Sequence, residues 1–241
     1  MTEVDPLTPL LDLDGVADAL TGARDAVDAA LGHRALRRSG QRVGAEVALR
    51  SAVASAALEG HGYGLEQVRA GVVTDPVVQG ALRVSGALAG LAPSWRSTPR
   101  QVLARLHVLA ARDLVDEPSL GRPSVTSPRL DILTRVVGGS TVPAMLLAAV
   151  VHGELLALRP FAGPAGVLAR AAARLSLMSA GLDPRGLLPV EVGHRAREPE
   201  YVGAAGAFST GTPDGLRSWL RHYATAVELA AAELVTVAGS V

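Results

Sequence analysis

Apolar residues return at every third or fourth position along most of this chain, and runs of alternating β-branched residues are scarce. That spacing puts one apolar stripe on each segment's helical face and argues against half-buried strands. It predicts a first helix over Val16–Leu36, ending in the basic run "HRALRRSGQR", and a second over Ala45–Leu58. The segments "GLEQVRAGVV" and "PVVQGALRVSGALAGLA" follow, divided at Asp75-Pro76. Thr98-Pro99 reads as an N-cap with proline in the first turn of a helix reaching about Leu114. "VDEPSLGRPSVTSPR" is dense in turn formers and is expected as an irregular loop or one short β-hairpin. Helices are then expected near Pro128–Val137, Val142–Leu158 and Pro164–Ala180. After "GLDPRGLLPVEVG" come Glu198–Phe208 and a long C-terminal helix opened by Thr212-Pro213-Asp214. No internal repeat is evident. The pattern is all-α, with residues 1–43 expected as a helical extension and 44–241 as the main helical domain.

Composition narrows what such a bundle could do. At 241 residues and 49% apolar content the chain can bury a sizeable core. It carries 23 basic and 23 acidic residues, so no global field favours nucleic acid or an anionic membrane. Cysteine is absent, which removes disulfides, thiolate metal sites and a cysteine nucleophile. Lysine is absent too, so no Schiff base and no Walker-type lysine is available. Asparagine is missing and isoleucine occurs only at Ile132, a bias that suggests a GC-rich genome. The acidic start "MTEVDPLTPLLDLDG" lacks the basic region of a signal peptide. "VPAMLLAAVV" is interrupted by His152 and Glu154 before it could span a bilayer. A cytoplasmic protein without membrane or nucleic-acid partners is the expectation.

One stretch stands apart. "LLALRPFAGPAGVLAR", Leu155 to Arg170, sets proline, phenylalanine and glycine in a loop that opens straight into a helix. Pro164 suits the first helical position, which makes Gly163 the expected N-cap. The amides of Ala165, Gly166 and Val167 would then face outward at the positive end of the helix dipole, as at anion sites. Arg159 and Arg170 bracket that end in sequence. On pattern alone, an ordinary helix start with two surface arginines is the commoner outcome.

These residues carry a resemblance to the Fic (Fido-fold) family, whose pattern is HxFx[D/E]GNGRxxR. Arg159 stands at the histidine place, Phe161 keeps the phenylalanine, and Gly163 takes the acidic place. Pro164-Ala165-Gly166 replaces Gly-Asn-Gly, Val167 replaces the first arginine, and Arg170 keeps the second. "AAVVHGELLAL" resembles the helix before the motif. "EPEYVGAAGAFSTGTPDGLRSWLRHYATAV" resembles the helices after it, with Tyr201, Asp214, Leu216, Trp219 and Leu220 in family-like places. "SAALEG", with Ser55, Glu59 and Gly60, fits the family's inhibitory motif [S/T]xxxE[G/N]. Together these segments cover roughly Ala45 to Val227.

The resemblance implies a Fic-like helical bundle, a homodimer, and a nucleotide site using ATP and Mg²⁺ where the motif is intact. It also implies a pairing of Glu59 with Arg170 across the γ-phosphate position. The departures point elsewhere. Arginine stays protonated, so Arg159 cannot replace a general base. Gly163 offers no metal ligand, Pro164 removes a backbone donor and Val167 removes a guanidinium. The expectation is therefore a Fic-like protein without competent adenylyltransferase chemistry, with no catalytic residue, metal or cofactor. It would bind a protein partner or a small anionic ligand, with Arg159, Ala165, Gly166 and Arg170 as anion contacts. The alternative is a divergent nucleotidyl- or phosphoryl-transferase using Arg159 and Arg170 for charge stabilisation. His152 and Glu154 do not form an HExxH pair. His61, His107, His194 and His222 are scattered and expected to be structural. "HRALRRSGQR" lacks the interleaved aromatics of a nucleic-acid patch. "GLEQVRAG" has no GxGxxG, so a dinucleotide site is unsupported.

Overall fold

A computed structural model describes residues 5–124 and 127–240, the side chains of 37–39 excepted. The described residues form eleven α-helices and two short 3₁₀ turns, at Thr8–Asp12 and Glu117–Ser119. The helices are α1 (Val16–Leu31), α2 (Leu36–Ala57), α3 (Leu65–Arg69), α4 (Pro76–Trp95), α5 (Pro99–Ala111) and α6 (Pro128–Gly139). They continue with α7 (Ala144–Leu158), α8 (Ala165–Ser179), α9 (Val190–Ala196), α10 (Glu198–Ser209) and α11 (Pro213–Ser240).

Local chemistry explains several of these boundaries. Asp75 caps α4 by accepting from the amides of Val77 and Val78 at 2.9 and 3.1 Å, with Pro76 in the first turn. Ser127 caps α6 in the same way, ahead of Pro128. The first helix stops earlier than its periodicity suggests, at Leu31, where Gly32 closes it on the Asp28 and Ala30 carbonyls. The second begins at Leu36 rather than Ala45. Two glycines and a basic run weaken its local signal, but Leu36, Val43 and Val47 are buried, and that burial carries the extra turns. The boundary expected between residues 43 and 44 thus falls inside a continuous helix. The hairpin expectation is corrected: the described residues hold no strand, and the segment contains the turn Glu117–Ser119, with residues 125 and 126 outside the described set. Its prolines and glycine suit turns better than a ladder.

The centre of the fold is the pairing of α7 with α8, the most extensive helix–helix contact among the described residues. Residues all around α7 are buried, from Met145 to Gly153 and at Leu155, which fits its unbroken apolar run. One core lies on the side of α1, α10 and α11 and is anchored by Trp219 and Tyr223. The other lies among α4, α5 and α6 around Trp95, Leu103 and Leu106. Each buried tryptophan finds an acceptor: Trp219 Nε1 donates to the Ala149 carbonyl at 2.8 Å, Trp95 Nε1 to Ser176 Oγ at 3.0 Å. No described helix is long and apolar enough to cross a membrane.

Candidate functional site

The α7–α8 connection carries the sequence's candidate residues, and its backbone is unusual. Arg159 closes α7 in the left-handed region, at φ 43°, the only described residue other than glycine with positive φ. A side chain there costs about 1–2 kcal/mol relative to glycine, so the conformation is imposed by its surroundings. Gly163 follows at φ +83°, where glycine is free of that cost. The helix then starts one residue later than expected. Pro164, not Gly163, is the N-cap and Ala165 opens α8. The Ala165 amide is already engaged by the Gly163 carbonyl at 2.8 Å. The amides of Gly166 and Val167 are left at the positive helix end without a backbone acceptor among the described residues.

His107 fixes this loop from α5, a role that no motif or spacing signals. Its Nδ1 accepts from the Gly121 amide at 3.0 Å, so the ring proton sits on Nε2, which donates to the Ala162 carbonyl at 2.8 Å. Phe161 packs on the same imidazole, ring centroids 4.8 Å apart. Burial pushes the His107 imidazole below its ordinary range, which favours this neutral tautomer.

Arg170 projects from α8 back toward the loop, as helical side chains do. It is buried, and every face of its guanidinium is used. Nε donates to Ser55 Oγ at 2.9 Å, and Nη2 to the Ser55 carbonyl and Glu59 Oε1, both at 2.8 Å. Nη1 donates to the Tyr201 hydroxyl at 3.0 Å. Burial would depress its affinity for the proton, but Tyr201 and Glu59 more than offset this and hold it raised. Ser55 and Glu59 come from the end of α2, where Gly60, at φ +89°, turns the chain away and His61 bonds back to the Ala56 carbonyl. A Cβ on Gly166 would lie 2.0 Å from Glu59 Oε1, so only glycine admits the carboxylate to the α8 terminus.

The result is a cleft of ≈ 590 Å³ between the ends of α2, α7, α8 and α10. Glu59, Arg159, Arg170, Tyr201 and Ser209 are its polar lining, and Leu58, Leu156 and Val202 are among its apolar walls. Of the expected residues, Arg159, Ala165, Gly166, Arg170 and Glu59 meet here. Phe161 and Gly163 face α5 and its following turn instead. Arg159 is exposed, with no ion pair among the described residues.

Behind the cleft lies a group whose members are scattered along the chain. Tyr201 also contacts His152 Nε2 at 3.1 Å, and His194 Nδ1 meets His222 Nε2 at 3.1 Å. Trp219 and Tyr223 enclose the three imidazoles. Burial, then the nearby Arg170 charge, drives His152 well below its ordinary range. Burial lowers His194 as well and pushes His222 down to about 4. Among the described residues no group of three or more His, Asp and Glu could hold a metal ion.

No family model and no curated protein matches this chain. Solved structures do match it. A Fic family protein from Desulfovibrio desulfuricans G20 superposes with a TM-score of 0.73 and 22% identity, covering 92% of this chain and 74% of that one. Residues 134–508 of Fic-1 from C. elegans give 0.70 and 21%, covering 95% and 74%. A variant of the same fragment gives 0.71 and 20%, covering 97% and 75%. The chain has the all-helical fold of Fic family proteins.

Proposed function

We propose that this is a Fic-fold binding or regulatory protein without adenylyltransferase chemistry, whose cleft accepts a small anionic ligand or a segment of a protein partner. One observation carries the reading: no group lining the cleft is placed to take a proton from a target hydroxyl. Arg159 and Arg170 are cations, and the one carboxylate, Glu59, is engaged by Arg170. Burial raises the Tyr201 phenol, so it stays protonated at neutral pH. The lining also does not fit Mg²⁺. A hard cation wants free carboxylate or carbonyl oxygens, and Gly163 brings no ligand while Glu59 is already paired. Arg159 is a free cation on a cleft within the size range of small-molecule sites, which supports retained binding.

The test is incubation with labelled nucleotides and Mg²⁺ or Mn²⁺, with and without cell lysate. No label transfer is expected, either from the natural chain or from Arg159→His combined with Gly163→Asp, because Pro164 and Val167 still spoil a phosphate cradle. Divalent-dependent labelling that disappears on changing Arg159 or Arg170 would instead establish a divergent nucleotidyl- or phosphoryl-transferase.

A further inference from the structure

Four residues beyond Arg170, the inward face of α8 carries a second buried arginine, Arg174. It stands 3.7 Å from the equally buried Glu191 of α9, too far for a hydrogen bond. Its Nη2 donates to the Gly186 carbonyl at 2.7 Å, but Nε and Nη1 make no hydrogen bond among the described residues. Glu191 Oε2 and Ser51 Oγ are likewise buried without one. Orphaned polar atoms of this kind are rare in folded proteins, and charged ones are costly. All three residues line one small space between α2, α4, α8 and α9, with Ser55 and Ser85 on its wall.

We propose that this space is a hydration site in which one water bridges Arg174, Glu191 and Ser51. Its volume of ≈ 10 Å³ is about what one water needs, and the groups around it number within the two to four partners a buried water takes. The donor set selects the ligand. Arg174 presents hydrogens and Glu191 presents lone pairs, so a monatomic anion would meet the carboxylate and a cation the guanidinium. Water serves both at once. The site also backs onto the cleft. Ser55 Oγ accepts from Arg170 Nε, while its own hydrogen has no acceptor among the described residues. The bridged layer therefore stands directly behind the serine that positions Arg170.

A crystal structure at atomic resolution tests this directly. Discrete density within hydrogen-bonding reach of Ser51 Oγ, Arg174 and Glu191 Oε2 is expected. A dry space, with Arg174 closed directly onto Glu191, would overturn the proposal. Ser51→Val supplies a second readout, because its added bulk displaces whatever occupies the space. If a water bridges the two charges, its loss lowers Tm by several degrees. If the space is dry, the valine fills a void and Tm holds or rises. Should that variant fail to fold, the density of the natural chain decides alone.

Discussion

Arg170 shows how much one side chain can be asked to do. At 2% exposure its charge is tolerable only because Glu59, Tyr201 and two oxygens of Ser55 surround it. Breaking a buried pair by removing one member typically costs about 3–5 kcal/mol, since the survivor is left uncompensated. Arg170→Ala should reach that range, because it strands Glu59, Tyr201 and the Ser55 carbonyl together. Glu59→Ala should cost less, as Glu59 is partly exposed and Arg170 keeps Ser55 and Tyr201. The double variant should lose less than the two single losses combined, measured by chemical denaturation. Additive losses would show that the two residues act independently. The pairing was implied by the family resemblance that Ser55, Glu59 and Gly60 carry. Tyr201 as the third partner was not, because a tyrosine on a short helix announces no contact.

At the scale of elements, the α7–α8 loop is held less by its own sequence than by α5. His107 bonds both the Ala162 carbonyl and the Gly121 amide, so one imidazole ties two loops to one helix. His107→Leu keeps the packing on Phe161 but leaves both groups unpartnered. The expected loss is about 1–3 kcal/mol for each that stays buried. Faster limited proteolysis within residues 159–164 should accompany it, and unchanged cleavage would mean the loop holds itself. Helix existence was readable from periodicity almost throughout. The exceptions, and two shifted helix starts, have separate causes. Helix α9 spans only Val190–Ala196, two turns, too short to show a period. The early start of α2 depends on burial of Leu36 and Val43 against residues distant in sequence. The late start of α8 follows Gly163, which is left-handed at φ +83°.

For the whole molecule, the imidazole cluster sets the response to acid. His152, His194 and His222 are all depressed in the fold, burial being the largest cause in each. Arg170 adds repulsion to His152, while Glu200 partly offsets the effect at His222. Below about pH 6.5 the unfolded chain takes up protons on these rings that the native core refuses. Stability present above that pH is therefore lost as acidity rises, down to about pH 4 for His222. Tm should be flat with respect to these groups from pH 8 to 7 and fall steeply from pH 6 to 4.5. His222→Gln should make the fall shallower. An unchanged slope in that variant would show that this imidazole is not among the groups responsible.

The sequence by itself determined the all-α class, the order of most helices and the identity of the loop on which the site is built. Those features are local: a period of 3.6, a proline before or within a first turn, a glycine after a helix end. The resemblance it carried pointed to the fold that the solved structures share. Tertiary structure alone decided which polar residues meet. Arg170 and Ser55 are 115 positions apart, and His107 and Ala162 are 55 apart. Neither spacing carries a pattern. The three histidines looked isolated because no helical repeat links residues 152, 194 and 222. They converge because α7, α9 and α11 each bury one small patch against the others, and packing, unlike periodicity, is not written in neighbouring residues.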